Sequence, residues 1–172
     1  GWATGGLIFG ALGDRFGRAR MLSICVLIYS LCTGFSSFAT SYEGFCLFRI
    51  MTGLGVGGVF GLSVALVADS VPDRTRAPAL GLLQSLSTLG NLVAGLLGIG
   101  SSALAAQHLL PFALKPWQVM FLIGAVPAFL CVFIIGRMKE PAKWTAARAE
   151  GVKRGVNFGS YATLLSHPTW QK

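Results

Sequence analysis

The chain has 172 residues and a formal net charge of +8, with 53% hydrophobic residues but only 12% charged ones, about half the charged share of soluble domains. A soluble core of this size does not need so much apolar sequence. The bases are confined to short stretches between apolar runs and to the C-terminal tail, which argues against nucleic acid as a partner and for a protein in a lipid bilayer oriented by its positive charges.

In chain order, Gly1 to Gly13 is apolar but too short to cross about 30 Å of hydrocarbon at about 1.5 Å per residue. It has no initiator Met and no basic start, so it reads as part of a helix that begins upstream rather than as a signal peptide. Gly10-Ala-Leu-Gly-Asp14-Arg15-Phe-Gly17-Arg18-Ala-Arg20 follows, a tight, Gly-broken, Arg-rich turn between two apolar segments. Asp14 is an acid among three arginines, at a helix end where it can pair with a base or cap a facing helix. Met21 to Ala39 and Ile50 to Ala68 are each nineteen residues without a charge, long enough to span. Thr40 to Gly44 is a polar turn without Lys or Arg. Asp69 to Arg76 is a charged loop containing Pro72. Ala77 to Ala106 is thirty uncharged residues, more than one span needs, so its end is expected to tilt or leave the bilayer near Gly100-Ser101-Ser102. Gln107 to Pro116 forms a further loop, and Trp117 to Gly136 a last span with an interfacial aromatic at its edge.

The expected fold is therefore an all-α integral membrane helical bundle of five membrane helices, the first truncated. They run at about 1–13, 21–39, 45–68, 77–102 and 117–136, with 137–172 as a cytoplasmic loop. The Lys and Arg count orients it. Twelve bases fall on the side of the first loop and the tail, and two, Arg49 and Lys115, on the other. The first loop and the tail are expected to be cytoplasmic in a multi-pass protein of the cell (inner or plasma) membrane, with tail bases able to rest on anionic lipid headgroups.

Cys25, Cys32, Cys46 and Cys131 show no paired spacing and read as small hydrophobes between helices. Gly53, Gly57 and Gly61 recur every four residues, as do Gly90, Ala94 and Gly98, a spacing that lets helices approach closely in lipid. His108 and His167 stand alone in loops. The chain has no phosphate-binding loop, metal cluster, or nucleophile with its base, so neither enzyme chemistry nor a cofactor is expected.

Several stretches resemble one family in order. The first loop, G-x-x-x-D-R-x-G-R-x-R from Gly10 to Arg20, resembles the signature loop between the second and third helices of the major facilitator superfamily of secondary transporters. Ala19 stands where the family prefers a second base. Arg49-Ile-Met-Thr-Gly53-Leu-Gly55-Val-Gly57 resembles the run that opens its fourth helix. Asp69-Ser-Val-Pro72, followed by Arg76, is similar to the close of that helix in sugar porters, with Asp in place of the usual Glu. Trp117-Gln-Val-Met120-Phe121, with Gly124 and Pro127, is similar to the start of the sixth helix. Glu140-Pro-Ala-Lys143-Trp144 resembles the E-S-P-R-W sequence after it, the proline displaced by one. The resemblance implies the amino-terminal half of a twelve-helix fold, lacking its first helix and its C-terminal half.

It also implies roles. Asp14, Arg18, Asp69 and Arg76 would form a charge network that latches the inner side when the binding site faces outward; the alternative is that they orient the protein and solvate loop ends. Gly10, Arg15, Gly17 and Arg20 belong to the signature loop, with Arg15 and Arg20 serving topology. Arg49 would couple protons or order the outer half, or else snorkel to the interface. Gln84, Thr88 and Asn91 fall at i, i+4 and i+7 on one helix face, where they either contact the solute or bond between helices. Gly81 and Gly90 fit the glycine spacing of proton-driven drug antiporters, but Ala94-Gly95 replaces their Gly-Pro. The expected function is secondary active transport of a small polar solute, a sugar or organic acid or anion, by proton-coupled symport with alternating access. Its partners would be the solute, protons and the lipid bilayer. The alternatives are a non-transporting sensor, a truncated partner-binding remnant, or a drug antiporter.

Overall fold

The computed structural model describes residues 1–106, 115–135 and 142–153. His108 and most of its loop, Gly136, Glu140-Pro141 and the tail with His167 lie outside the described residues. Among the described residues six helices follow one another: α1 (Trp2–Phe16), α2 (Arg18–Ser36), α3 (Tyr42–Ser70), α4 (Asp73–Ala106), α5 (Pro116–Ile135) and α6 (Ala142–Lys153). Among the described residues every element is helical. α2, α3 and α4 are each long and apolar enough to cross a membrane, and α5 adds 20 residues without a charge.

The turns are shorter than the sequence implies. α1 continues through Gly10 and Gly13 to Phe16, and the first turn shrinks to Gly17 alone. A glycine inside a helix costs about 1 kcal/mol relative to alanine. In lipid, however, an unwound backbone has no water to bond, so the helix persists until the backbone must reverse. It reverses at Gly17, which holds φ 113° and whose N–H donates to the Gly13 carbonyl at 3.0 Å. α2 therefore starts at Arg18, earlier than expected, and ends early at Ser36. The Ser36 and Ser37 hydroxyls donate to the Cys32 and Gly34 carbonyls at 2.7 Å and tie up its last turn.

α3 begins where Ser41 caps it, its hydroxyl accepting the Gly44 N–H at 3.2 Å, with Glu43 in the first turn. Only Val71 and Pro72 separate it from α4. α4 does not unwind at Gly100-Ser101-Ser102; it stays helical there, with both serine hydroxyls folded back to donate to the Gly98 carbonyl, at 2.9 and 3.0 Å. Its 34 residues reach about 51 Å, more than the hydrocarbon thickness.

α3 is the central helix, packed against α1 on one side and α2 on the other, with α5 along α2. Met21, Cys25 and Leu62 form the buried core, flanked by Phe9, Leu12, Leu22 and Val59. α4 touches α3 and α5 but leaves most of its surface open, with Leu82, Leu92, Leu96 and Ile99 exposed.

The expected small-residue stripes are only partly packing faces. A Cβ built on Gly5 would run into the Leu54 carbonyl oxygen, and one on Gly57 into the Trp2 carbonyl oxygen, so α1 and α3 touch backbone to backbone. A Cβ built on Gly61 or Gly90 would meet no other helix or side chain within 4 Å. The reason is geometric: at 3.6 residues per turn a four-residue repeat drifts about 40° per step, and two steps carry Gly61 off the α1 contact.

Gly5, Gly17 and Gly57 are therefore not replaceable. Gly17→Ala should cost about 1–3 kcal/mol, because no L side chain is at ease at that φ. Gly57→Ala should lower the thermal midpoint of the detergent-solubilised protein, whereas Gly61→Ala, which adds a methyl in open space and removes glycine's helix penalty, should leave it unchanged or raise it by about 2–4 °C.

Candidate functional site

The α1–α2 turn sets three ionised side chains against one another. Asp14 lies in the last turn of α1, Arg18 is the first residue of α2, and Asp69 lies at the end of α3. Arg18 donates to Asp14 Oδ1 through Nε at 3.3 Å and Nη2 at 3.1 Å. Its Nη1 donates to Asp69 Oδ2 and, at 3.2 Å, to the Ala65 carbonyl. The Arg18 and Asp69 side chains are 21% and 25% exposed, while Asp14 is 47% exposed. One guanidinium thus gathers the ends of three helices, and the bonds that do so are charge-assisted, directional and breakable.

Arg76 does not join this cluster. Its Nη2 donates to Asp73 at 2.7 Å and its Nε to the Ala68 carbonyl at 3.2 Å, so it clamps the α3–α4 corner instead. With α4 beginning at Asp73, an acid of its own first turn lies nearer than Asp69. Arg15 and Arg20 are exposed, and the Arg15 guanidinium lies 5.5 Å from the Phe16 ring centre. Gly10 sits mid-helix beside open space.

Arg49, at the opposite end of α3, is folded inward. Its Nη2 donates to Ser36 Oγ at 3.0 Å and lies 3.5 Å from Thr52 Oγ1. The guanidinium stacks 4.5 Å from the Phe121 ring centre and 5.7 Å from that of Phe45, and Nε is buried with no partner among the described residues. Trp117 meets Phe121 edge-on, and Gln118 Nε2 donates to the Ser37 carbonyl at 2.9 Å, closing α5 over α2. Nothing in the spacing of Ser36 or Phe121 pairs them with Arg49, because each comes from a different helix.

Gln84 and Asn91 line a cavity of about 390 Å³ between α1, α3 and α4, together with Trp2, Phe60, Ser63 and Ser87. Thr88 is not in its wall; its hydroxyl donates to the Gln84 carbonyl at 3.1 Å within α4. The polar stripe therefore runs 84, 87, 91. Residues 87 and 88 flank the same line on a helix, and only the position of α3 decides which of them faces the gap.

Membrane-length helices, an ion-paired end and a polar-lined gap between helices place the molecule among multi-pass membrane proteins. The chain belongs to the Major Facilitator Superfamily, whose family model matches residues 1–170. This is a family of membrane transporters rather than enzymes. The niacin transporter NiaP of Acinetobacter baylyi is 36% identical over 181 residues, covering 100% of this chain and 39% of that protein. The xylose transporter XylE from E. coli, in a partially occluded inward-open conformation, superposes with a TM-score of 0.64 at 23% identity, covering 89% of this chain and 40% of that one. A bacterial homologue of the lysosomal transporter Spinster, inward-facing, gives a TM-score of 0.61 at 26% identity, over 79% of this chain and 33% of that one. The chain spans 33% and 39% of the length of two curated relatives it matches.

The cluster sets an order of stability. Arg18→Gln leaves two carboxylates facing each other without their shared cation, so it should cost more than either Asp69→Asn or Asp14→Asn, at about 1–3 kcal/mol for each lost charged hydrogen bond. Asp14→Asn, at the most exposed member, should cost least. Thermal unfolding of the purified variants in detergent reads the order, and an Arg18→Gln midpoint above that of Asp69→Asn would refute it.

Proposed function

We propose that this chain forms helices two to six of a twelve-helix secondary transporter in a cell membrane, with the α1–α2 turn and the segment after α5 on the cytoplasmic side. It would carry a small polar organic solute by proton-coupled symport and alternating access. The observation that carries this is the Asp14–Arg18–Asp69 cluster, which ties three helix ends together by bonds that can be made and broken as a unit. In this role it is an inner latch. A difference of a few kcal/mol between its closed and open forms is enough to move a two-state population by orders of magnitude. Gln84 and Asn91, with Ser87, line the solute's path, and Arg49 is the cation at the outer end available for coupling to an acid that titrates. A similarity to NiaP of 36% across the whole chain favours an organic acid over a sugar, and XylE is described as a proton:xylose symporter, which supports proton coupling.

The test is uptake by the complete protein in proteoliposomes under an imposed inward proton gradient. Labelled nicotinate is the first probe, followed by xylose and phosphate. Accumulation abolished by a protonophore is expected; uptake indifferent to the gradient would overturn the symport reading. Asp14→Asn should slow uptake at least about tenfold at equal membrane amount, and unchanged uptake would remove the latch role.

The cavity makes a separate prediction. Gln84→Ala and Asn91→Ala should raise KM for the transported solute with Vmax nearly kept. Thr88→Ala, outside the cavity wall, should change KM by less than about twofold. Equal effects at positions 84, 88 and 91 would show that the cavity is not the path.

A further inference from the structure

The chain beyond α5 returns to the charged cluster. Trp144, near the start of α6, donates its indole N–H to the backbone carbonyl of Asp14 at 3.2 Å, across 130 residues of sequence. That carbonyl is one of the four at the end of α1 that lack a donor within their own helix. Arg148, one turn further along α6, stacks its guanidinium 5.1 Å from the centre of the Trp144 ring and holds the indole in place. α6 also packs against α3, the helix that carries Asp69.

We propose that Trp144 is a positioning residue for the charged cluster: its indole fixes the Asp14 peptide and so holds the Asp14 carboxylate on Arg18. The need for such a device follows from the geometry. Asp14 is the most exposed of the three ionised side chains, at 47%, and both of its bonds from Arg18 arrive at one oxygen, Oδ1. It lies in the last turn of α1, three residues before the reversal at Gly17, where a helix end frays most readily. A bond to its carbonyl fixes the local backbone, and the direction of its Cα–Cβ bond with it. α6 thereby joins α1, α2 and α3 at one point, and a movement of the end of α1 away from α2 either breaks the indole bond or carries α6 with it. The link to transport rests on the latch reading above; the link between Trp144 and the Asp14 carboxylate does not.

The experiment is a double-mutant cycle on the complete protein, with Trp144→Phe and Asp14→Asn made singly and together and thermal midpoints read in detergent. Trp144→Phe keeps an aromatic face for Arg148 and removes the donor together with part of the ring's packing; Trp144→Leu serves as a second variant. Asp14→Asn retains the backbone carbonyl, so the indole bond survives in it. The loss on Trp144→Phe in that background combines the indole bond with the lost ring packing, and the excess loss in the wild-type background is what passes through the carboxylate. Trp144→Phe should lower the midpoint by about 2 °C in the wild type and by less than half as much beside Asp14→Asn. Equal losses in the two backgrounds, or none in the wild type, would overturn the proposal and leave Trp144 as packing for α6. In the uptake assay Trp144→Phe should lower Vmax about threefold with KM unchanged. A coupled cycle with uptake unmoved by Asp14→Asn would sink the latch reading and keep the positioning role, whereas slowed Asp14→Asn uptake with an additive cycle would do the reverse.

Discussion

The arrangement depends on one guanidinium holding two acids. Each member of the Asp14–Arg18–Asp69 cluster sits at the wrong end of its own helix. Asp14 and Asp69 lie at the negative C-terminal ends of α1 and α3, and Arg18 at the positive N-terminal end of α2. Alone, each charge would be disfavoured by its helix dipole by about 0.3–1 kcal/mol. Together, Arg18 offsets the two acids in part, each acid offsets the cost of Arg18, and Arg18 adds the Ala65 carbonyl as a further acceptor. The same logic explains why the turn is one residue long. A longer loop would let Arg18 swing away, while Gly17 at φ 113° holds α2 directly against the end of α1.

The opposite end of the bundle is built on different chemistry. Arg49 has no carboxylate in contact among the described residues; it is held by Ser36, Thr52 and the faces of Phe121 and Phe45. Aromatic faces attract a cation without neutralising it. Its charge is therefore sheltered but unspent, and the buried Nε still lacks an acceptor among the described residues. One end is closed by ion pairs and the other by a sheltered cation under rings. Between them α1 and α3 meet backbone to backbone at Gly5 and Gly57, the close contact that lipid-embedded helices need in the absence of a hydrophobic driving force. α4 stands apart with its apolar residues exposed, and the polar-lined cavity lies in the gap it leaves.

The helices themselves were legible because uncharged runs of nineteen or more residues have few alternatives in lipid. Their ends were less so. Sequence places the first turn over Gly10 to Arg20 on the ground that glycines break helices, a rule that holds in water. In a bilayer the unpaired backbone costs more than the glycine, so only Gly17, where φ turns positive, breaks the chain. The family-like motifs were legible one by one and identified the superfamily from residues scattered along the chain. What each charge touches was not. Arg76 and Asp69 are close in sequence, yet Arg76 binds Asp73, because the helix restarts between them.

Sequence alone thus determined the class, the all-helical architecture, the stock of charges and the presence of Asp14, Arg18 and Asp69 at helix ends, since these follow from hydropathy, length and local spacing. Tertiary structure alone decided the partners. It chose Ser87 over Thr88 for the cavity wall, turned Arg49 under Phe121, limited the glycine contact to one stretch of α3, and brought Trp144 back to Asp14. Each of these depends on the rotation and crossing of two helices. A periodicity of 3.6 residues defines a face but not the neighbour it meets.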